Sequence, residues 1–143
     1  MVERIPLIYE NVFGRSPERA VSARKIGTIL YFYLLDETGT KSVENTTQVV
    51  GTKIVLFIGL DDENHRPLKG KNVDIYHRID TGPWEKIKTV VTGTTNEAGM
   101  AIGTGQATAY YTLAKAGTHT FYAEFAGDDT YEGCEKQAKT LAL

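Results

Sequence analysis

From Ile26 to its end the chain is a succession of β-branched and aromatic runs, each closed by a cluster of Gly, Asp, Asn or Pro. This punctuation constrains the fold more than any other feature, because an amphipathic helix needs apolar residues recurring every three to four positions across an unbroken segment. No such segment of useful length occurs. Ile26 to Leu35 ends at Asp36-Glu37-Thr38-Gly39, and Lys53 to Leu60 ends at Asp61-Asp62-Glu63-Asn64. Asn72 to Asp80 alternates, with Val73, Ile75 and His77 on one side and Asp74, Tyr76 and Arg78 on the other. Thr81-Gly82-Pro83 then returns the chain into Trp84 to Val91, which predicts a hairpin. Ala107 to Leu113, Thr118 to Ala126 and Cys134 to Leu143 complete the set. In the second of these, His119, Phe121, Ala123 and Phe125 oppose Thr120, Tyr122 and Glu124. About seven short strands at this spacing read as an all-β, antiparallel sandwich.

Residues 1–25 follow a different pattern. They carry five basic and three acidic residues, a net of +2, so the other 118 residues of the 143 carry −4. Ile5, Leu7, Ile8, Tyr9, Val12 and Phe13 make this arm more apolar than a solvated tail. The expectation is an N-terminal arm, 1–25, on a sandwich, 26–143, with those six residues packing on a surface. Ser16-Pro17-Glu18 is a helix-start signal, predicting a short helix over Ser16 to Lys25.

Two strands depart from the usual half-exposed pattern. In Lys53 to Leu60 the inward set is Ile54, Leu56, Ile58 and Leu60, yet the opposite face carries Val55 and Phe57 where polar residues would normally stand. Ile26 to Leu35 has the same two-sided character. Val55 and Phe57 are therefore expected at an interface, covered by the arm or by another subunit.

The composition removes several classes of function. A net charge of −2 supplies no basic field for nucleic acid, and no run reaches the ~20 apolar residues of a membrane span. One cysteine, Cys134, excludes an internal disulfide framework, and the three histidines lie at no zinc-site spacing. No nucleophile motif or phosphate loop occurs, so no catalytic residue and no organic cofactor is expected. Asp61, Asp62, Asp128 and Asp129, with Glu63, would make a calcium site only if their two loops met at one end of the sandwich. Tyr and Trp side chains at the surface would suit a carbohydrate-binding module, a lower-ranked reading.

The order of features from residue 51 resembles the Ig-like repeat domains of bacterial and archaeal surface proteins. The resemblance is carried by Gly51-Thr52-Lys53-Ile54, Leu60-Asp61-Asp62, the run from His65-Arg66-Pro67-Leu68-Lys69-Gly70 to Tyr76, Trp84, and Thr94-Thr95-Asn96-Glu97-Ala98-Gly99. Its most specific part is AEFAGDDTYEG, Ala123 to Gly133. The resemblance covers about 51–143 and implies a non-enzymatic β-sandwich used as a spacer, adhesion module or virion appendage. Trp84 is expected as the large plug between the sheets, and Asp128 as a turn cap. Residues 1–19 contain no export-leader pattern. Together these features lead to the expectation of a virion structural protein, a capsid decoration or tail subunit, that meets itself or other structural subunits. The alternative is a secreted or cell-surface filament or adhesion subunit.

Overall fold

A computed structural model describes residues 24–143. The six apolar arm residues Ile5 to Phe13, and most of the Ser16 to Lys25 segment, lie outside the described residues.

Eight strands form: β1 (Thr28–Leu35), β2 (Thr47–Gln48), β3 (Lys53–Asp62), β4 (Asn72–Ile79), β5 (Glu85–Val91), β6 (Gln106–Thr112), β7 (Gly117–Phe125) and β8 (Cys134–Ala142). No helix occurs among the described residues. One sheet has the order β1-β3-β6, the other β2-β8-β7-β4-β5. All pairings are antiparallel except the short parallel contact of β2 with β8. Period-two alternation selects the buried face of each strand. β3 contributes Ile54, Leu56, Ile58 and Leu60, β4 contributes Val73 and Ile75, and β7 contributes Phe121, Ala123 and Phe125. These side chains join Leu30, Phe32 and Leu34 of β1 in one cluster, so the two sheets pack face to face.

The edges are managed by local chemistry. Beyond β6 the chain between β5 and β6 runs alongside, with the Thr108 N–H donating to Thr95 O and the Glu97 N–H donating to Thr108 O, which caps that edge. At the opposite edge of the other sheet, β5 carries Glu85, Lys86 and Lys88, charges that discourage further strand pairing. The hairpin expected between Asn72 and Val91 is present, with a bulge at Ile75/Tyr76.

One expected core position is corrected. Trp84 is not between the sheets: its ring meets Tyr122 edge-on at 4.8 Å and lies under the Arg78 guanidinium at 4.6 Å. Tyr122 and Arg78 occupy the outward positions of β7 and β4. Alanines 107, 109, 123 and 138 line the core instead, and among them the space is filled by Phe32 and Phe121.

Candidate interaction surface

The outer face of the three-stranded sheet carries an apolar surface that the other sheet does not cover. β1 projects Ile29, Tyr31, Tyr33 and Leu35 there, opposite Asp61, Gly59, Phe57 and Val55 of β3. Tyr33 is 45% exposed, and its ring centroid stands 6.3 Å from that of Phe57, its cross-strand partner. A shallow hollow of about 480 Å³ opens beside this pair, lined by Tyr31, Tyr33, Phe57, Gly59, His65 and Gln106 among others. The hollow owes its floor to Gly59, which has no side chain in the middle of a strand otherwise filled by bulky residues. A methyl group at that position would stand 3.5 Å from the Tyr31 ring, in ordinary contact, and would fill the floor.

Phe57, expected at an interface, is half-buried and keeps some exposed surface on this face. Val55 is not: it points the same way but has no exposed surface. Its register partners are Leu35 on β1 and Tyr110 on β6, and directly opposed side chains on a pleated sheet stand about 5 Å apart, close enough to exclude solvent. Lys53 further covers this end by placing its ammonium 4.3 Å from the centre of the Tyr110 ring. The apolar outer face is therefore partly a second, minor core, and the part available for contact is the Tyr31-Tyr33-Phe57 end.

The first described residues are tied to the chain just beyond the Asp62 end of β3. The Arg24 guanidinium donates to both Glu63 carboxylate oxygens, at 3.0 and 3.2 Å, and the Gly27 N–H donates to Glu63 Oε1 at 2.7 Å. The Gly27 amide, then the Arg24 guanidinium, hold the Glu63 carboxyl below its usual range. Glu63 immediately follows β3, two residues beyond Asp61, which lines the hollow. Ile26 is tied to the other side, its N–H donating to Thr130 O and its carbonyl accepting from Glu132 N–H.

Two of the carboxylates considered for calcium, Asp62 and Asp128, are engaged in turns. Asp62 Oδ1 accepts the N–H groups of Asn64 and Arg66 at 2.8 and 3.0 Å. Asp128 accepts from Thr130 N–H, Tyr131 N–H and, at 2.6 Å, from the Lys71 ammonium. No three His, Cys, Asp or Glu side chains gather around a point that could hold a metal ion among the described residues. Asp128 fills the turn-cap role expected of it. The Lys71 ammonium foremost, and then the two amides, lower its pKa to about 2. Because the folded value lies below the ordinary ~3.9, this contribution is complete above about pH 4 and is lost as pH falls towards 2. Asp128→Ala is expected to lower the melting temperature at neutral pH and to flatten the acid side of the stability profile, as followed by circular dichroism from pH 5 to 2.

The aromatic residues a sugar would use are largely occupied by one another. Tyr76 and Tyr122 stack at 4.6 Å, and Arg78 covers Trp84. Cys134 is half-buried and accepts a hydrogen bond from Thr28 Oγ1 at 3.1 Å; burial raises its thiol pKa, which leaves little thiolate for reaction.

No family model matches the chain, and no curated protein matches it.

Proposed function

We propose that the chain is a non-enzymatic structural assembly protein built on an immunoglobulin-like domain, a virion component of the capsid-decoration or tail-subunit kind. It docks on copies of itself or on other structural subunits through its N-terminal arm and the outer face of its three-stranded sheet. The observation that carries this reading is the open Tyr31-Tyr33-Phe57 surface on the outer face of β1 and β3, where Tyr33 is 45% exposed. Aromatic side chains with exposed rings contribute disproportionately to protein contacts, and an open patch of this kind on a sheet face has little other use.

The strand order supports the immunoglobulin-like part of the proposal. Such sandwiches divide their strands ABED against CFG. Lettering β1, β3 and β6 as A, B and E, and β8, β7 and β4 as G, F and C, reproduces that division apart from strand D. The charge division supports the docking part, since an arm of net +2 and a body of net −4 attract one another head to tail. Calcium and sugar have no part in this mechanism.

Phe57→Lys tests the proposal. It places a charge on the contact surface while leaving the inner face of β3 intact, so self-association measured by light scattering is expected to fall with little loss of monomer stability. Phe57 is half-buried, so the cost should stay well below the roughly 3 to 5 kcal/mol of truncating a fully buried Phe. A variant that unfolds, or one that associates as the parent does, contradicts the assignment of this surface.

A further inference from the structure

Two histidines sit inside the sandwich in a hydrogen-bonded pair that the proposed assembly does not use. His77 of β4 is 6% exposed and His119 of β7 is fully buried. His77 Nε2 lies 2.8 Å from His119 Nδ1, and His119 Nε2 lies 2.7 Å from the carbonyl oxygen of Lys115, in the turn between β6 and β7. The directions of these bonds follow from the chemistry of the groups. A carbonyl only accepts, so His119 Nε2 carries a hydrogen; in the neutral ring Nδ1 then accepts, so His77 Nε2 carries the next one. His77 Nδ1 is left as the free base of the relay, with the Tyr111 hydroxyl of β6 3.3 Å away.

One added proton can be accommodated by this chain of bonds at the cost of burying a charge. A second cannot, because two N–H groups would then face each other across 2.8 Å. The titratable and charged groups around the pair offer little compensation. They are Tyr111 from β6, Glu85 from β5 in register with His77, Arg78 on β4 and Lys115 in the turn. The β8 residue in register with His119 is the neutral Thr140, whose hydroxyl donates to Val43 O at 2.8 Å. Glu85 is exposed, and no carboxylate hydrogen-bonds either ring among the described residues. A small surface hollow lined by His77, Arg78, Gly82, Glu85 and Lys115 gives solvent protons a route to the relay.

The pair also holds one end of the domain closed. The turn that His119 grips through Lys115 leads into Thr118, whose N–H donates to Asp80 Oδ1 at 2.9 Å and whose carbonyl accepts from the Asp80 N–H. Asp80 begins the turn between β4 and β5, so both turns at this end depend on the same few bonds. We propose that the His77–His119 pair is an acid-sensitive latch, whose protonation frees the Lys115 turn and loosens this end of the sandwich. Burial, and secondarily the neighbouring His119, lower the His77 pKa to about 4. An opened turn returns His77 to the ordinary ~6.5. Between these values the open form binds one proton more than the closed form, so lower pH favours opening, by about tenfold per unit in the opening constant. Above ~6.5 and below ~4 this dependence vanishes.

The test is NMR on the full chain. The His77 imidazole resonances should titrate near pH 4, and amide exchange at Thr118 and His119, corrected for intrinsic rates, should accelerate by about tenfold per unit from pH 6 to 4. His77→Gln keeps a donor to His119 but removes the titrating base, so its corrected exchange should be flat over that interval, with Asp80 still present. A His77 midpoint near 6.5 overturns the latch. So does acceleration that persists in His77→Gln, which would assign it to a group other than His77. The wild-type titration decides the matter alone if the variant does not fold.

Discussion

Phe121→Ala is expected to lower the free energy of unfolding by about 3 to 5 kcal/mol, a large share of the ~5 to 15 kcal/mol that holds a typical domain together. Phe121 is fully buried on β7, with ring centroids of His77 at 4.8 Å and Tyr111 at 5.3 Å, the latter in a T-shaped contact from the opposite sheet. It therefore bridges the two layers. Its cross-strand neighbour on β8 is Ala138, and Ala107, Ala109 and Ala123 also line the core. Methyl groups on a hydrogen-bonded sheet cannot move inwards to fill the space a phenyl ring vacates, so most of the cavity should persist. Urea denaturation followed by circular dichroism should show a lower midpoint with the slope unchanged. Phe57→Ala, on the opposite face of the other sheet, should move the midpoint far less.

Gly93→Ala is expected to cost about 2 to 3 kcal/mol, although it adds a single methyl group. Gly93 follows β5 with φ +75°, in the left-handed region, and a Cβ there would stand 2.5 Å from the carbonyl oxygen of Thr104. That neighbour is backbone and cannot rotate away. The Gly93 N–H also donates to Gln106 O at 2.7 Å, so displacing the residue disturbs the start of β6. Gly70 is the matched comparison: its φ of +76° is nearly the same, but nothing lies within 4 Å of its Cβ position. Gly70→Ala should therefore show only the conformational penalty of about 1 to 2 kcal/mol. Thermal melts of the two variants separate the steric from the conformational part.

The strands were legible in the sequence because each is a periodic run with turn residues at both ends. β4 and β7 alternate so cleanly that the sequence already grouped His77 with Val73 and Ile75, and His119 with Phe121, Ala123 and Phe125, the sets that the fold buries. β2 could not, since two residues have no period and it exists only because β8 offers a parallel partner. β3 was expected to stop at Leu60 but continues to Asp62, whose carboxylate caps the turn that follows. Tertiary placement decided the remaining cases. Trp84 has the size of a core residue, but at the start of β5 it faces outwards onto Tyr122 and Arg78. Val55 belongs to the outward set, but the central strand of a three-stranded sheet is flanked on both sides and loses its exposure. The pairing of two histidines 42 positions apart depends on the register of β4 against β7, which periodicity alone does not supply. Gly59, breaking an apolar strand, was the visible sign of the hollow beside Tyr31, though its meaning emerged only once β1 was placed alongside.

The candidate surface thus combines features of different legibility. The apolar outer face of β1 and β3 was apparent from their two-sided hydrophobicity. Its restriction to the Tyr31-Tyr33-Phe57 end came from the packing, as did the ion pair of Arg24 with Glu63 just beyond β3. Increasing ionic strength should weaken the arm's attraction to the body, because the opposed net charges are exposed and screened over about 10 Å at 0.1 M salt.

The most direct test of assembly through the arm is sedimentation equilibrium on the intact chain and on residues 24–143 over a wide concentration range. The core is built from residues within 30–142, so the shortened chain should remain folded. The account predicts that the intact chain's apparent mass rises with concentration while the shortened chain remains a monomer. Equal masses for the two chains at every concentration would contradict it.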